Sequence, residues 1–216
     1  MLSLARQKRR LQGYKGQSLS LDRTDLRSAK AFASAWEGCT FNEVNFNLTD
    51  FTNASFTECE FTLCTGLQAN FFGARFVNCK IRDADFEQAN FSACWIDQTI
   101  FAYSRLCYTV FHDATLWNTT IKNCNLHGAE LLFHQTRNVD YAGSNLWGVK
   151  VALGCPFFQS KFDEKQKQMF VALVARIWPE NNIGKRLEEY AGEEFALVER
   201  LMRDEDGDIT TGKSVG

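Results

Sequence analysis

The side chains able to act as metal ligands or nucleophiles in this chain are three histidines, His112, His127 and His134, and eight cysteines. A zinc site, a disulfide framework or a hydrolytic centre would place them at ligand spacing, as in C-x-x-C or H-E-x-x-H. Neither pattern occurs. Six of the cysteines, Cys39, Cys59, Cys64, Cys79, Cys94 and Cys124, instead differ from one another only by multiples of five. No Walker loop, dinucleotide glycine fingerprint or G-x-S-x-G elbow is present either. The run Asp204-Glu205-Asp206-Gly207-Asp208 is no calcium loop, because its glycine precedes the last acid. The chain therefore reads as non-enzymatic, with no catalytic, metal or cofactor-binding residue and no cofactor.

The cysteine spacing belongs to a repeat that organises most of the chain. Stepping by five from Leu21 to Val151 gives twenty-seven positions, of which eighteen are Leu or Phe and three are Ile. Trp36, Tyr141 and Val151 also fit, and only Ala31, Gly66 and Thr136 do not. Two residues before each large position lies a second class, of which twenty-two of twenty-seven members are Ala, Ser, Thr or Cys. The residue between the two classes is usually polar, as in Ala84-Asp85-Phe86, Ala89-Asn90-Phe91 and Cys124-Asn125-Leu126. A period of five matches neither the 3.6 of a helix nor the 2 of a strand. Each unit must join a short extended piece to a turn, and the chain must coil, with one large and one small residue per unit filling a narrow interior.

Units such as Ala84-Asp85-Phe86-Glu87-Gln88 resemble the pentapeptide-repeat proteins, and the resemblance covers residues 19–153. It implies a mainly β fold, a right-handed quadrilateral β-helix with four repeats per coil and both residue classes directed inward. Residues twenty apart then stack in columns. Cys39, Cys59 and Cys79 share one, and parallel stacking at ~4.8 Å keeps their Cβ atoms beyond disulfide range, so buried thiols are expected. Gly66 marks a hole, a bulge or an adjusted neighbour such as Leu67. His134 falls at an inward small position beside Thr136, where the two are expected to satisfy each other or a water.

With the interior committed to packing, function must be written on outward positions. From Ala31 to Ala74 there is no Lys or Arg, while Glu37, Glu43, Asp50, Glu58 and Glu60 form an acidic belt. Later outward positions become apolar: Trp95, Ile100, Tyr103, Tyr108, Val110, Trp117, Leu132, Phe133 and Trp147. Such aromatics suggest a covered surface. Either the C-terminal segment folds back over them or a partner protein binds there, and Trp95, Tyr103, Tyr108, Trp117, Phe133 and Trp147 are the candidate contacts. A basic groove is missing from the same coils, so stacking of nucleic-acid bases is not expected.

The ends divide the chain into a basic arm or cap (1–17), the repeat rod (18–155), a helical segment (156–203) and a disordered tail (204–216). Met169, Phe170, Leu173, Val174, Ile177 and Trp178 follow helical spacing, as do Leu187, Tyr190, Val198 and Leu201 further on. Either these helices cap the rod or they dimerise it, through Phe170, Val174, Ile177, Tyr190, Val198 and Leu201. No stretch is long and apolar enough for a membrane span or a signal-peptide core, which points to a cytoplasmic protein.

Two functions compete. The first is a structural or interaction protein that presents flat faces to a protein partner. The second is implied by the resemblance: some members pair an acidic rod with a helical dimerisation tail and shield DNA gyrase, a type II topoisomerase, from quinolones by mimicking DNA. Here the rod segment 18–155 carries a net charge of only −4 and the arm is basic, whereas a duplex mimic calls for dense negative charge.

Overall fold

The structure, a computed structural model, describes residues 11–150, 157–158 and 160–168. Its strands are three residues long, from Lys15–Gln17 to Gln135–Arg137, followed by Phe157–Phe158. All pair in parallel, and from Lys15↔Ala35 to Leu116↔Thr136 the partners are twenty residues apart. Four five-residue units therefore close each coil, as the resemblance implied. The result is a parallel β-solenoid of about six turns.

The four sides differ in how their coils are joined. The first side is an eight-stranded sheet that begins at Lys15–Gln17, and the second a six-stranded sheet that begins at Ser20–Asp22. The third and fourth are joined by single-residue bridges, such as Asp25↔Asn45 and Asn45↔Thr65 on the third and Lys30↔Asp50 and Asp50↔Asn70 on the fourth.

Inside, Phe56, Phe76 and Phe91 are buried with the rest of the large class. Rings twenty apart stack along the axis, Phe51 on Phe71 at 5.2 Å and Phe71 on Phe91 at 5.0 Å. Rings five apart meet edge to face, as do Phe41 and Phe46 at 5.4 Å. Both arrangements suit the aromatic quadrupole, offset along one direction and T-shaped along the other. The small class has a second duty besides fitting. Thr49 Oγ1 donates to Leu26 O at 2.7 Å, Ser144 Oγ to Ile121 O at 2.6 Å, and the Cys59 and Cys64 thiols to Trp36 O and Phe41 O at 3.3 Å. A short donor at this position reaches the carbonyl twenty-three residues back, which favours Ser, Thr and Cys beside Ala. The seven cysteines among the described residues are buried, and burial pushes the Cys64 and Cys124 thiols up to about 11.

The corners explain the polar linking residue. Every fifth residue from Gly13 to Gly148 has a positive φ, with Phe133 the one exception among the described residues. Most are not glycine, so the tight coil holds them in a left-handed conformation that L-residues avoid. The preceding turn is braced where Asp or Asn stands between the two classes. Its Oδ1 accepts the N–H two residues on, as from Arg27 to Asp25, Glu87 to Asp85 and Trp147 to Asn145.

Several expectations shift. The coil begins earlier than Leu21: Leu11 is buried and Lys15–Gln17 pairs with Ala35–Glu37, so residues 11–17 belong to the rod rather than to an arm. It also continues past Cys155. Thr136 pairs with Phe157 and Asp140 with Lys161, an offset of twenty-one that accommodates one inserted residue. At Gly66 the missing side chain is replaced by the Phe86 ring from the next coil, whose Cδ1 lies 2.3 Å from where a Cβ would be.

Phe133 and His134 exchange roles relative to the sequence reading. Phe133 is buried against Phe111, with ring centroids 5.8 Å apart, and His134 is exposed. The corner at 133 is lost and His134 N donates instead to Ala114 O at 2.9 Å. Burying a benzyl group is favourable, whereas an unpaired imidazole would carry a desolvation penalty. Thr136 is buried without His134, and its Oγ1 has no partner among the described residues.

A short helix at 164–168 closes the described chain. Asp163 and Gln166 cap it reciprocally: Gln166 N donates to Asp163 Oδ1 at 2.9 Å, and Asp163 N to Gln166 Oε1 at 2.8 Å. The candidate oligomerisation residues Phe170, Val174, Ile177, Tyr190, Val198 and Leu201 lie outside the described residues, as do residues 1–10 and the tail at 204–216.

Candidate protein-interaction surface

The six candidate aromatics do not form one patch. Trp95 and Trp117 sit on the first side, edge to face at 4.6 Å, with the Arg75 guanidinium 5.4 Å from the Trp95 ring. Both are half-buried, and their indole N–H groups have no hydrogen-bond partner among the described residues. They shield each other more than they present a surface. Phe133 is in the core. Tyr103, Tyr108 and Trp147 are exposed, Trp147 most of all at 67%.

Those three belong together by geometry. Trp147 lies on the third side, in line with Cys107 and His127. Tyr103 and Tyr108 occupy the two left-handed corners that bound that side. The Tyr108 ring lies down the corner over Gly128, where a Cβ would come within 2.5 Å of its Cε1. The same ring meets the His127 imidazole at 5.4 Å. His127 in turn lies beside Gly148, next to Trp147. Glycine at 128 leaves room for the Tyr108 ring, whereas a Cβ at 148 would meet His127 only at ordinary contact distance, 3.5 Å.

Three further apolar residues lie on the same side in the earlier coils, separated from Tyr103 and Tyr108 by the coil that carries Asp83, Asp85, Glu87 and Gln88. Leu67 lies on the third side, Leu63 on the Tyr103 corner and Leu48 on the Tyr108 corner, and all three are exposed. Of the seven exposed large apolar side chains in the described residues, six are on this side or its two corners, and only Phe72 lies elsewhere, on the fourth. Folding the sequence at twenty per coil would have found them, because Leu48, Leu63 and Leu67 stand at outward positions where the repeat sets no demand. The cation on the lower half of this side, Arg105, is held by Asp85 at 3.3 Å and by Glu87.

The acidic belt is spread around the rod. Glu37 lies on the first side, Glu60 on the second, Asp50 on the fourth, and Glu43 and Glu58 at different corners. Several have partners from adjacent coils. Arg23 reaches Glu43 at 3.1 Å, Lys80 donates to Glu60 at 2.7 Å, and Gln17 Nε2 donates to Glu37 Oε2 at 3.0 Å. Basic groups flanking the segment thus offset a charge that the sequence seemed to leave bare.

The histidines do not converge. His112, on the fourth side, meets Glu130 at 2.7 Å, His127 is on the third side and His134 points outward. Among the described residues no group of three or more His, Cys, Asp or Glu is placed to hold a metal ion. No helix among them is long and apolar enough to cross a membrane.

The coil register and the residue classes agree with an independent comparison. The family model for pentapeptide repeats matches residues 37–65 and 69–95, in 8 copies. Residues 37–65 and 69–95 thus carry pentapeptide repeats of that family's type. Among solved structures, its pentapeptide solenoid is similar to that of full-length QnrB1, a plasmid-mediated fluoroquinolone resistance protein. The identity is 18%, over 74% of this chain and 96% of that one, with a TM-score of 0.42. It is also similar to HetL, a pentapeptide-repeat protein involved in heterocyst differentiation regulation in the cyanobacterium Nostoc, at 16% identity over 73% and 90% of the two chains and a TM-score of 0.39. A pentapeptide-repeat protein of the Arabidopsis thaliana thylakoid lumen matches at 19% identity over 72% and 76%, with a TM-score of 0.24. No curated protein matches the chain in sequence. Likeness at this level says nothing about a partner.

Proposed function

We propose that this protein is a non-catalytic interaction module that docks a protein partner on its third side. The supporting observation is the confinement of exposed Leu48, Leu63, Leu67, Tyr103, Tyr108 and Trp147 to that side and its corners. An apolar, aromatic-rich stripe with an internally paired arginine is the composition of an interface centre, where a few aromatics supply most of the affinity. The solenoid supplies rigidity, so little ordering cost accompanies docking.

The test compares two double variants in quantitative capture of binding proteins from the native source. Tyr108→Ser with Trp147→Ser removes two exposed aromatics, each a candidate for a loss of about 2 kcal/mol, or roughly thirtyfold in affinity. Trp95→Ser with Trp117→Ser removes two half-buried aromatic side chains from the first side. Loss of a binding protein with the former alone supports the reading; loss only with the latter, or with neither, removes it.

The DNA-mimic reading calls for rows of unpaired negative charge. Glu43 and Glu60 are paired with cations, and the five belt residues face different directions, which favours the protein-docking reading over it.

A further inference from the structure

We infer that the partner presents to the third side a proline-rich segment in the polyproline II conformation, flanked by arginine or lysine, which lies along the rod axis over Tyr103, Tyr108, His127 and Trp147. This rests on the docking reading and names the chemistry of what docks.

Spacing is the first argument. Tyr103 and Tyr108 flank the third side in one coil, and Trp147 lies on that side two coils below, about 10 Å along the axis at the inter-strand spacing. A polyproline II helix repeats every three residues with a rise of about 3.1 Å each, so the side chains along one of its edges recur at about 9 Å. Between the two levels the Tyr108 ring leans over Gly128 and meets the His127 imidazole at 5.4 Å. One turn of a proline segment therefore finds an exposed aromatic residue at each end and two rings between them.

Backbone chemistry is the second argument. Polyproline II has no internal hydrogen bonds, so carbonyls that a partner covers need donors. Asn125 Oδ1 accepts from His127 N at 3.2 Å and from Asn145 Nδ2 at 2.9 Å, while Asn125 Nδ2 has no partner among the described residues. The exposed Trp147 adds an indole N–H. An α-helix, whose backbone is bonded internally, would make no use of these donors. A strand would need a free sheet edge, and here the backbone is already bridged to the coils above and below, through Arg105↔Asn125 and Asn125↔Asn145.

Charge supplies the flanks. The coil above Tyr103 carries Asp83, Asp85 and Glu87, and the one arginine of the third side that faces them, Arg105, is shared by Asp85 and Glu87. Arg82 belongs to the second side. Three acids against one cation leave a negative balance just beyond the aromatic residues, which a basic residue beside the prolines complements.

Isothermal titration calorimetry of the full chain at low salt tests this with three capped peptides: hexaproline flanked by arginine at both ends, hexaproline flanked by glycine, and a Gly-Ser repeat of equal length flanked by arginine. The first should bind, the second should bind several-fold more weakly, and the third should not bind. Tyr108→Ser and Trp147→Ser should each weaken the first peptide by at least about tenfold, whereas Trp95→Ser with Trp117→Ser should leave it unchanged. Asp83→Asn with Glu87→Gln should erase the difference between the two proline peptides. Unchanged urea midpoints show that each variant keeps the solenoid. No binding of either proline peptide, equal binding of the Gly-Ser peptide, or full affinity in Trp147→Ser would overturn the inference. If no proline peptide binds while Tyr108→Ser/Trp147→Ser still loses a captured protein, this inference fails and the docking reading stands; a proline peptide bound through Tyr108 and Trp147 with no captured protein lost does the reverse.

Discussion

Phe71 and Phe72 are adjacent in the chain and chemically identical, yet the coil sends one ring to the axis and the other to solvent: Phe71 is 1% exposed and Phe72 47%. Phe71 stacks on Phe51 at 5.2 Å and on Phe91 at 5.0 Å, and meets Phe76 edge to face at 5.5 Å. Replacing it by Ala removes all three contacts and leaves a cavity that rigid coils cannot close, a loss of about 3–5 kcal/mol. Phe72→Ala removes a ring that already faces water, and its effect should stay below about 1 kcal/mol. With a urea m-value of about 2 kcal/mol/M, the Phe71→Ala midpoint should fall by roughly 1.5–2.5 M and the Phe72→Ala midpoint by less than ~0.5 M. Urea titration followed by circular dichroism measures both, and an unchanged m-value confirms that the same unit unfolds in each. Equal shifts, or a larger one for Phe72, would refute the inward–outward assignment of the five-residue phase.

Two further perturbations probe the interior. Gly66→Leu should destabilise by at least 1–3 kcal/mol, because its Cβ falls on the Phe86 ring; adding Phe86→Ala should recover most of the lost urea midpoint, and no recovery would mean that the ring does not fill that layer. The buried thiols predict an alkaline limit. Cys64 and Cys124 sit at about 11 in the folded chain against 9.0 for a free thiol. Their contribution is therefore complete below pH 9 and is lost as pH rises toward 11, by roughly 1 kcal/mol each at pH 10. Urea midpoints at pH 8 and pH 10 should differ by less in the Cys64→Ala/Cys124→Ala variant than in the unsubstituted chain.

The solenoid was legible because its cause is local and periodic: a large residue every fifth position and a small one two before it leave the interior one way to fill. What escaped sequence reasoning lay where a unit departs from that rule. Phe133 and His134 differ by one position, and periodicity alone assigned the inward place to histidine; the cost of burying an imidazole reversed it at the expense of one corner. Gly16 sits in the large phase but is glycine, with the Trp36 ring 2.9 Å from where its Cβ would be, so the first coil was overlooked. The interaction surface was half legible. Tyr103, Tyr108 and Trp147 were identified as outward aromatics, but Trp95, Trp117 and Phe133 were grouped with them because exposure depends on what packs across the coils. Leu48, Leu63 and Leu67 were missed because they interrupt a polar stretch singly, and only the twenty-residue fold brings them beneath one another.

The stripe on the third side exists only if residues twenty apart stack, and a distance measurement tests that directly. Thr57 and Asp97 flank Val77 in one ladder of the first sheet, two coils apart. Spin labels on Thr57→Cys and Asp97→Cys should report a separation near 10 Å, twice the inter-strand spacing, as strong dipolar broadening. A separation of 20 Å or more would contradict four units per coil and with it the assembly of the docking surface.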